Sequence, residues 1–489
     1  MRTWYDTFDW RIHVAGGVLV EEREGSRIRT SWRRIADHRQ LGQVMDAVPR
    51  FVDNLSPGPL HDSLAGLIKM RALLPVARLR LRIHRLALLN KSDKTVLRLV
   101  IEEGQDTCGD DLGGFPLSLR LRIEAVKGYR KPFERARKLL PAQLSLKMAG
   151  PQLNEMLACI GRKPRDYSSK LEVELQVEMP AGEALRRILR HLLDTMERNL
   201  EGARQNLDSE FLHDFRVAVR RTRSLLSQIK GVLPSAVANH VRTEFKWLGQ
   251  ITSATRDLDV YLLKLPSYRK DLPASMQNDL QPLQDYLTRQ QRQEQLKLAR
   301  QLASARCRRL LDEWRTFLES PVDESSWPEN ASRPILEIAN RKSWKTYRLV
   351  LEEGLAVSEN SPAVALHELR IRCKKLRYLM EFFQSLHPPD VISKQIKALK
   401  GLQDSLGDFH DLEVQADALR DFGHAMQAEQ ADLPGEVFMA MGVLIDSLYK
   451  CQVIERQNFS GRFARFARPG NRKTCHELFK PSSSEKETP

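Results

Sequence analysis

Cysteine is scarce and scattered in this chain. Its six cysteines, Cys108, Cys159, Cys307, Cys373, Cys451 and Cys475, form no CxxC pair and no zinc-ligand spacing, which excludes a disulfide framework and a sequence-local metal site. They read as free thiols of a reducing compartment, and cytoplasm is the expected location. The first ten residues carry charges where a signal peptide needs its apolar stretch. No run approaches the roughly 18 apolar residues of a membrane span, so none is expected. Aromatic residues make up only 7% of the chain. No RNA-binding motif, recognition helix or base-stacking cluster accompanies the basic segments described below, which argues against nucleic acid as the partner.

What is present is a chain of 489 residues, 42% hydrophobic and 29% charged, which exceeds what a single core of about 250–300 residues can organise. Two or three globular domains are expected. The net charge of +15 draws the protein to polyanions. Up to about residue 178 the sequence is short-period and alternating, as in 78–89, 96–103, 117–126 and 171–179. These stretches predict strands, with helices at 60–74 and 131–160, so this half is α+β. From Pro180 onward apolar residues recur every three or four positions between proline breaks, and an all-helical half is predicted. The polar tail, 471–489, is expected to be disordered. Residues 1–179 carry 31 of the 78 Lys and Arg and 22 of the 63 Asp and Glu, a net of +9, which leaves only +6 for the helical half. A polyanion site there requires its cations to be gathered on one face.

That gathering is visible in an internal repeat. Residues 212–229 align without a gap on 366–383, and the same offset of 154 sets 245–260 against 399–414, matching Lys246 with Lys400 and Asp257 with Asp411. Two helices sharing one offset imply a duplicated helical unit. On a helix with His213 at zero, Arg216, Arg220 and Arg223 fall at about 300°, 340° and 280°, opposite Leu212, Phe215, Val219 and Leu226. The second copy places His367, Arg370, Lys374 and Arg377 opposite Leu366, Leu369, Cys373 and Met380. An ordinary amphipathic helix would also show a solvated basic face. However, no acid is recognised where it would offset either stripe, and crowded like charges cost a few tenths of a kcal/mol per pair, which a bound anion would relieve. The histidines offer N–H donors to an anion, and the neighbouring cations disfavour a metal at either. Asp257 and Asp411, in Arg256-Asp257-Leu and His410-Asp411-Leu contexts, are expected to orient the His or Arg of the stripes. Arg306, Arg308, Arg309 and Arg315 either extend the basic face or meet water.

The motif His-x-x-Arg-x-x-x-[Arg/Lys]-[Arg/Lys]-x-Arg, present as His213/Arg216/Arg220/Arg221/Arg223 and His367/Arg370/Lys374/Lys375/Arg377, resembles the CHAD family, the conserved-histidine α-helical domain. The resemblance covers 180–470, with repeats at about 182–320 and 332–468. It implies two pseudo-symmetric four-helix bundles whose basic faces bind inorganic polyphosphate, without chemistry. The expected binding set is the ten motif residues together with Lys246, Arg256, Lys400 and His410.

Residues 1–178 are similar to the CYTH family of triphosphate tunnel enzymes, through 4-WYDTFDWRIHVAGGVLVEER-23, Arg27, Arg29, Arg33, 80-RLRIHR-85, 98-RLVIEE-103 and 120-RLRIEAVKG-128. The resemblance implies an antiparallel β-barrel around a tunnel, with Arg27, Arg29, Arg80, Arg82, Arg98, Arg120 and Arg122 as phosphate ligands. The family's opening Glu-x-Glu-x-Lys strand is not found ahead of Tyr5. That leaves Glu102 and Glu124 as the candidates for Mg²⁺ or Mn²⁺ and predicts a degenerate, inactive tunnel, unless the start codon is misplaced. No cofactor is otherwise expected. The combined expectation is a polyphosphate-binding protein associated with cytoplasmic polyphosphate granules. The alternatives are a metal-dependent triphosphatase in the N-terminal domain and a nucleic-acid binder.

Overall fold

The structure, a computed structural model, describes residues 1–34, 40–45, 47–106, 117–321, 327–358 and 360–480. Cys108 and the end of the tail therefore lie outside the described residues. The chain divides into two compact units, Met1–Ser169 and Lys170–Pro489.

The first unit is a seven-stranded antiparallel sheet. Its strands are β1 (Arg2–Asp6), β2 (Gly17–Glu24), β3 (Arg27–Arg34), β4 (Gln40–Val44), β5 (Leu74–Leu89), β6 (Thr95–Asp106) and β7 (Arg120–Ala125), in the order β4-β3-β2-β1-β5-β6-β7. Gly25, at φ 58°, supplies the left-handed residue that the two-residue β2–β3 turn requires. The helices are α1 (Arg11–Val14), α2 (Pro59–Ile68), α3 (Arg130–Gln143) and α4 (Gln152–Cys159). The single helix expected over 131–160 is two, interrupted where Ser145 takes φ 51° and Pro151 removes a donor. The helix expected over 60–74 stops at Ile68 because Lys69 turns to φ 53°.

Period-two alternation gives each sheet face its own core. Leu19 and Trp32 pack with Leu60, Leu64 and Ile68 of α2 on one side. Trp4, Val20, Ala77 and Leu79 pack with Leu153, Met156 and Leu157 of α4 on the other.

The stretch 171–179 alternates as a strand does but has no ladder partner. Polar side chains of the second unit take that role: Gln384 Nε2 donates to Leu171 O at 2.9 Å, Ser385 Oγ donates to Val173 O at 2.9 Å, and Leu175 N donates to Ser385 Oγ at 3.1 Å. These backbone groups are thereby satisfied outside any sheet, and the unit boundary falls after Ser169 rather than at 178.

The second unit is helical. It contains α5 (Ala181–Arg204), α6 (Ser209–Gln228), α7 (Ser235–Ile251), α8 (Ser253–Asp271), α9 (Gln281–Leu302), α10 (Ala305–Glu319), α11 (Ile335–Ala356), α12 (Ala363–Phe382), α13 (Pro389–Glu429), α14 (Gly435–Phe466) and α15 (Pro469–Phe479). The starts Ala181, Ser209, Ser235 and Gln281 recur 154 residues later as Ile335, Ala363, Pro389 and Gly435. The second copy fuses the counterparts of α7 and α8 into the single helix α13.

The two repeats share part of their core. One cluster joins α11, α12, the first half of α13, the last part of α14 and α15. A middle cluster is built from both copies: Leu258, Tyr261 and Leu265 of α8 and Leu283 and Leu287 of α9 meet Ala416 and Leu419 of α13 and Val437, Met441 and Leu444 of α14. Residues 471–479, expected to be disordered, belong to α15, which buries Asn471, Cys475 and Phe479. Contrary to the sequence reading, α14 contains a stretch long and apolar enough to cross a membrane by length and composition. In this fold one side of that helix lies in the two clusters. The five described cysteines are free thiols.

Candidate polyanion-binding groove

Asp208 starts α6 by accepting from Glu210 N at 2.9 Å and Phe211 N at 3.2 Å, an N-cap that fixes the helix phase. Gly202 of α5 admits the Phe211 ring so closely that a Cβ there would meet it at 2.2 Å. With Phe211, Leu212, Phe215, Val219, Leu225 and Leu226 buried, the opposite face of α6 carries the cations. On α12 the buried Leu366, Leu369, Cys373, Leu376 and Met380 do the same.

Where α6 and α12 pack together beside α7, they enclose a groove of about 750 Å³ lined by Arg220, Arg223, Arg242, Lys246, Lys374 and Lys375, with Ser224, Ser227, Asn239, Thr243, Ile371 and Tyr378. It contains six cations and no carboxylate, and among the described residues none of the six forms an ion pair. Tyr378 is 4% exposed, and its hydroxyl has no hydrogen-bond partner among the described residues. Burial pushes the Lys374 ammonium down to about 8, and the nearby Arg370 and Arg220 push it further the same way. An anion in the groove would raise it again.

Five of the six cations were legible as stripe or repeat positions. Arg242 was missed because its counterpart 154 residues on is Ile396. Its placement one turn before Lys246 on the same helix was the available signal.

The other expected residues do not line the groove. His213 is half-buried on α6. Arg216 Nη1 donates to Gly249 O (3.2 Å), Thr252 Oγ1 (2.7 Å) and Ser253 Oγ (3.2 Å), satisfying the break between α7 and α8. Arg256 donates to Ser209 O at 3.2 Å. In the second copy there is no break, and Arg370 instead donates to Asp411 Oδ1 at 2.9 Å. His367 and His410 lie with ring centroids 4.6 Å apart, and the His410 imidazole is held below its usual range by burial, then by Arg370 and His367. Burial raises the Asp257 carboxyl against the opposing pull of Arg216 and Arg256. Lys400 is exposed on α13.

The expectation that no acid offsets the stripes is overturned. Glu381, four residues beyond Arg377, approaches it at 3.5 Å and accepts from Arg221 at 2.9 Å. Arg306 is paired with Glu244 at 2.8 Å and stacks over Trp247, and Arg315 is held by Asp194, Glu197 and Glu319. Arg308 and Arg309 are exposed.

In the first unit, residues paired across the ladder share a face. The register puts Arg2, Glu22, Arg29, Arg27, Glu102, Arg98, Arg120, Arg122 and Glu124 on one side and Arg80 and Arg82 on the other. The seven expected tunnel cations therefore divide five to two. Arg2 donates to both oxygens of Glu102, at 2.8 and 3.0 Å, and to Glu22 at 2.9 Å. Arg122 approaches Glu124 at 3.1 Å, and Arg120 approaches Glu155 at 2.5 Å. Among the described residues no group of three potential ligands could hold a metal ion. Glu102 and Glu124, the expected metal carboxylates, are engaged by arginine.

The CHAD domain family model matches residues 187–420. That segment is a CHAD domain. All six groove cations lie within it, and the match ends inside α13 although the helical unit continues through α14 and α15. Among solved structures the chain is similar to the CHAD domain from the plant Ricinus communis, with 24% identity and a TM-score of 0.50, covering 60% of this chain and 96% of that one. It is also similar to PptA from Streptomyces chartreusis, with 15% identity and a TM-score of 0.46, covering 58% and 99%. The Ricinus communis likeness speaks for the CHAD fold alone. No curated protein matches the chain.

Proposed function

We propose that the helical unit binds inorganic polyphosphate in the groove between α6, α7 and α12. The observation that carries this reading is the set of six cations, Arg220, Arg223, Arg242, Lys246, Lys374 and Lys375, enclosed together without a carboxylate. Crowded like charges repel one another, and successive phosphates relieve that repulsion through charge-assisted hydrogen bonds. The Ser224 hydroxyl and the Asn239 amide supply neutral donors for the remaining oxygens. The sheet unit is read as a CYTH-like domain without catalysis, because its most buried charged-face carboxylate, Glu102, has both oxygens taken by Arg2.

The deciding measurement is a titration of the full chain with long-chain polyphosphate at physiological salt. Duplex DNA and tripolyphosphate serve as competitors, and free phosphate is followed in the presence of Mg²⁺. Tight binding that resists DNA, weakens steeply with salt and releases no phosphate is the expected result. Displacement by DNA at equal phosphate concentration would move the reading to nucleic acid. Phosphate release would make the sheet unit an enzyme.

A further inference from the structure

The 154-residue repeat implies two grooves, yet only one has the composition just described. Applying the offset to the groove lining gives its twin: Arg223 becomes Arg377, Ser227 becomes Glu381 and Lys246 becomes Lys400. Reading the same offset backwards, Lys375 becomes Arg221 and Lys374 becomes Arg220. Ser227, Arg223 and Lys375 share the lining of the first groove, and neither cation has an ion pair among the described residues. At the twin position, Glu381 lies among Arg377 and Arg221 and pairs with both, at 3.5 and 2.9 Å. The three side chains there are 15–19% exposed, and the Arg377 guanidinium also lies 5.4 Å from the Tyr378 ring centroid.

Resting on the polyphosphate reading above, we infer that Glu381 is a built-in anion that fills the second groove, so that the duplicated domain presents one polyphosphate site and not two. A carboxylate accepting from two guanidinium groups makes the contacts that a phosphate makes. Its position at the α6–α12 contact also ties the two repeats together from the closed side. A polyphosphate chain then meets an asymmetric domain and enters it from the side of Arg223 and Arg242.

The test is calorimetric titration of the full chain with tripolyphosphate, a probe short enough to occupy one groove. The wild type is expected to bind one equivalent. Ser227→Glu, which copies the closed side onto the open one, is expected to weaken binding at least tenfold. Glu381→Ser, which copies the open side onto the closed one, is expected to raise the stoichiometry from one to two. Removing a half-buried carboxylate can itself unfold the domain, so Glu381→Gln, which keeps an acceptor for Arg221, is measured in parallel. Added tripolyphosphate should also raise the melting midpoint of either Glu381 variant by more than that of the wild type. One equivalent and an unchanged ligand-induced shift in both Glu381 variants would overturn the inference while leaving the groove intact. No binding by the wild type, or binding indifferent to Ser227→Glu, would overturn the polyphosphate reading itself.

Discussion

The charged face of the sheet and the groove of the helical unit are built from the same kinds of side chain and reach opposite electrostatic states. On the sheet, Arg2 meets Glu22 and Glu102, Arg122 meets Glu124, Arg120 meets Glu155 and Arg85 meets Glu24. In the groove six cations face one another with no acid among them. A paired arginine is spent on holding structure, and its removal is felt in stability. An unpaired, largely exposed cluster holds no partner in place, and its removal is felt in binding. Counting arginines in the sequence does not distinguish the two, because the difference lies in which acids the fold delivers to them.

The comparison breaks first at the groove. Reversing Arg220, Arg223, Arg242 and Lys246 to Glu together is expected to weaken polyphosphate binding by at least about a thousandfold, ~4 kcal/mol, with far-UV circular dichroism unchanged. Retained affinity would place the site elsewhere.

On the sheet, Arg2→Met leaves Glu102, 7% exposed, as a charge without its principal partner. The expected cost is about 3 kcal/mol in urea unfolding of the first unit, with polyphosphate affinity unaltered.

Acid should act on the helical unit through His387, which burial holds at about 4 beside Phe479. Its folded value lies below the unfolded one near 6.5, so the folded state binds fewer protons. The contribution is present above pH 6.5 and is lost as pH falls towards 4, on the order of 2 kcal/mol. A His387→Gln variant whose stability still falls over that window would remove this cause.

Lys374, at about 8, gives a signature of the same sign in a more alkaline window. Its folded value lies below its ordinary 10.5, so its burial penalty fades and stability rises as pH climbs from about 8 towards 10.5. Polyphosphate affinity should meanwhile fall a few-fold between pH 7 and 9, with proton uptake on binding. Lys374→Arg should flatten that dependence, and an unchanged slope would exclude Lys374 from the site. At the small end, Arg85→Ala removes a pair with Glu24 that is exposed on both sides and should leave the melting midpoint unchanged in a thermal scan.

Much of the helical unit was legible because a repeat is a long-range signal written in one dimension. The offset of 154 found in two helices also locates the starts of α5, α7 and α9 in their second copies. Arg242 escaped because the repeat replaces it with Ile396, so a search by symmetry passes over an asymmetric ligand. Glu381 escaped because it lies one turn beyond the last cation of the motif, and half of its meaning comes from Arg221, 160 positions away. On the sheet the strands β5, β6 and β7 were legible from alternation, but the face assignment was not. Arg80 and Arg98 look alike until pairing of Ile83 with Glu102 and of Arg98 with Glu124 assigns them to opposite sides. The stretch 171–179 alternates for burial alone, since Leu171 and Leu175 pack inward while side chains of the helical unit satisfy its backbone.

The fusion of two helices into α13 has a thermodynamic consequence. At 1.5 Å per residue its 41 residues form a rod of roughly 60 Å, with Leu399 and Leu402 in one core cluster and Ala416 and Leu419 in the next. In the first copy the backbone interrupts its hydrogen-bond ladder between α7 and α8, so opening at one end can stop there. The second copy offers no such stop, and fraying that begins in either cluster must travel along a continuous helix or break it. Opening of the two clusters is therefore expected to be coupled through α13, and amide exchange in the middle of α13 should report both at once.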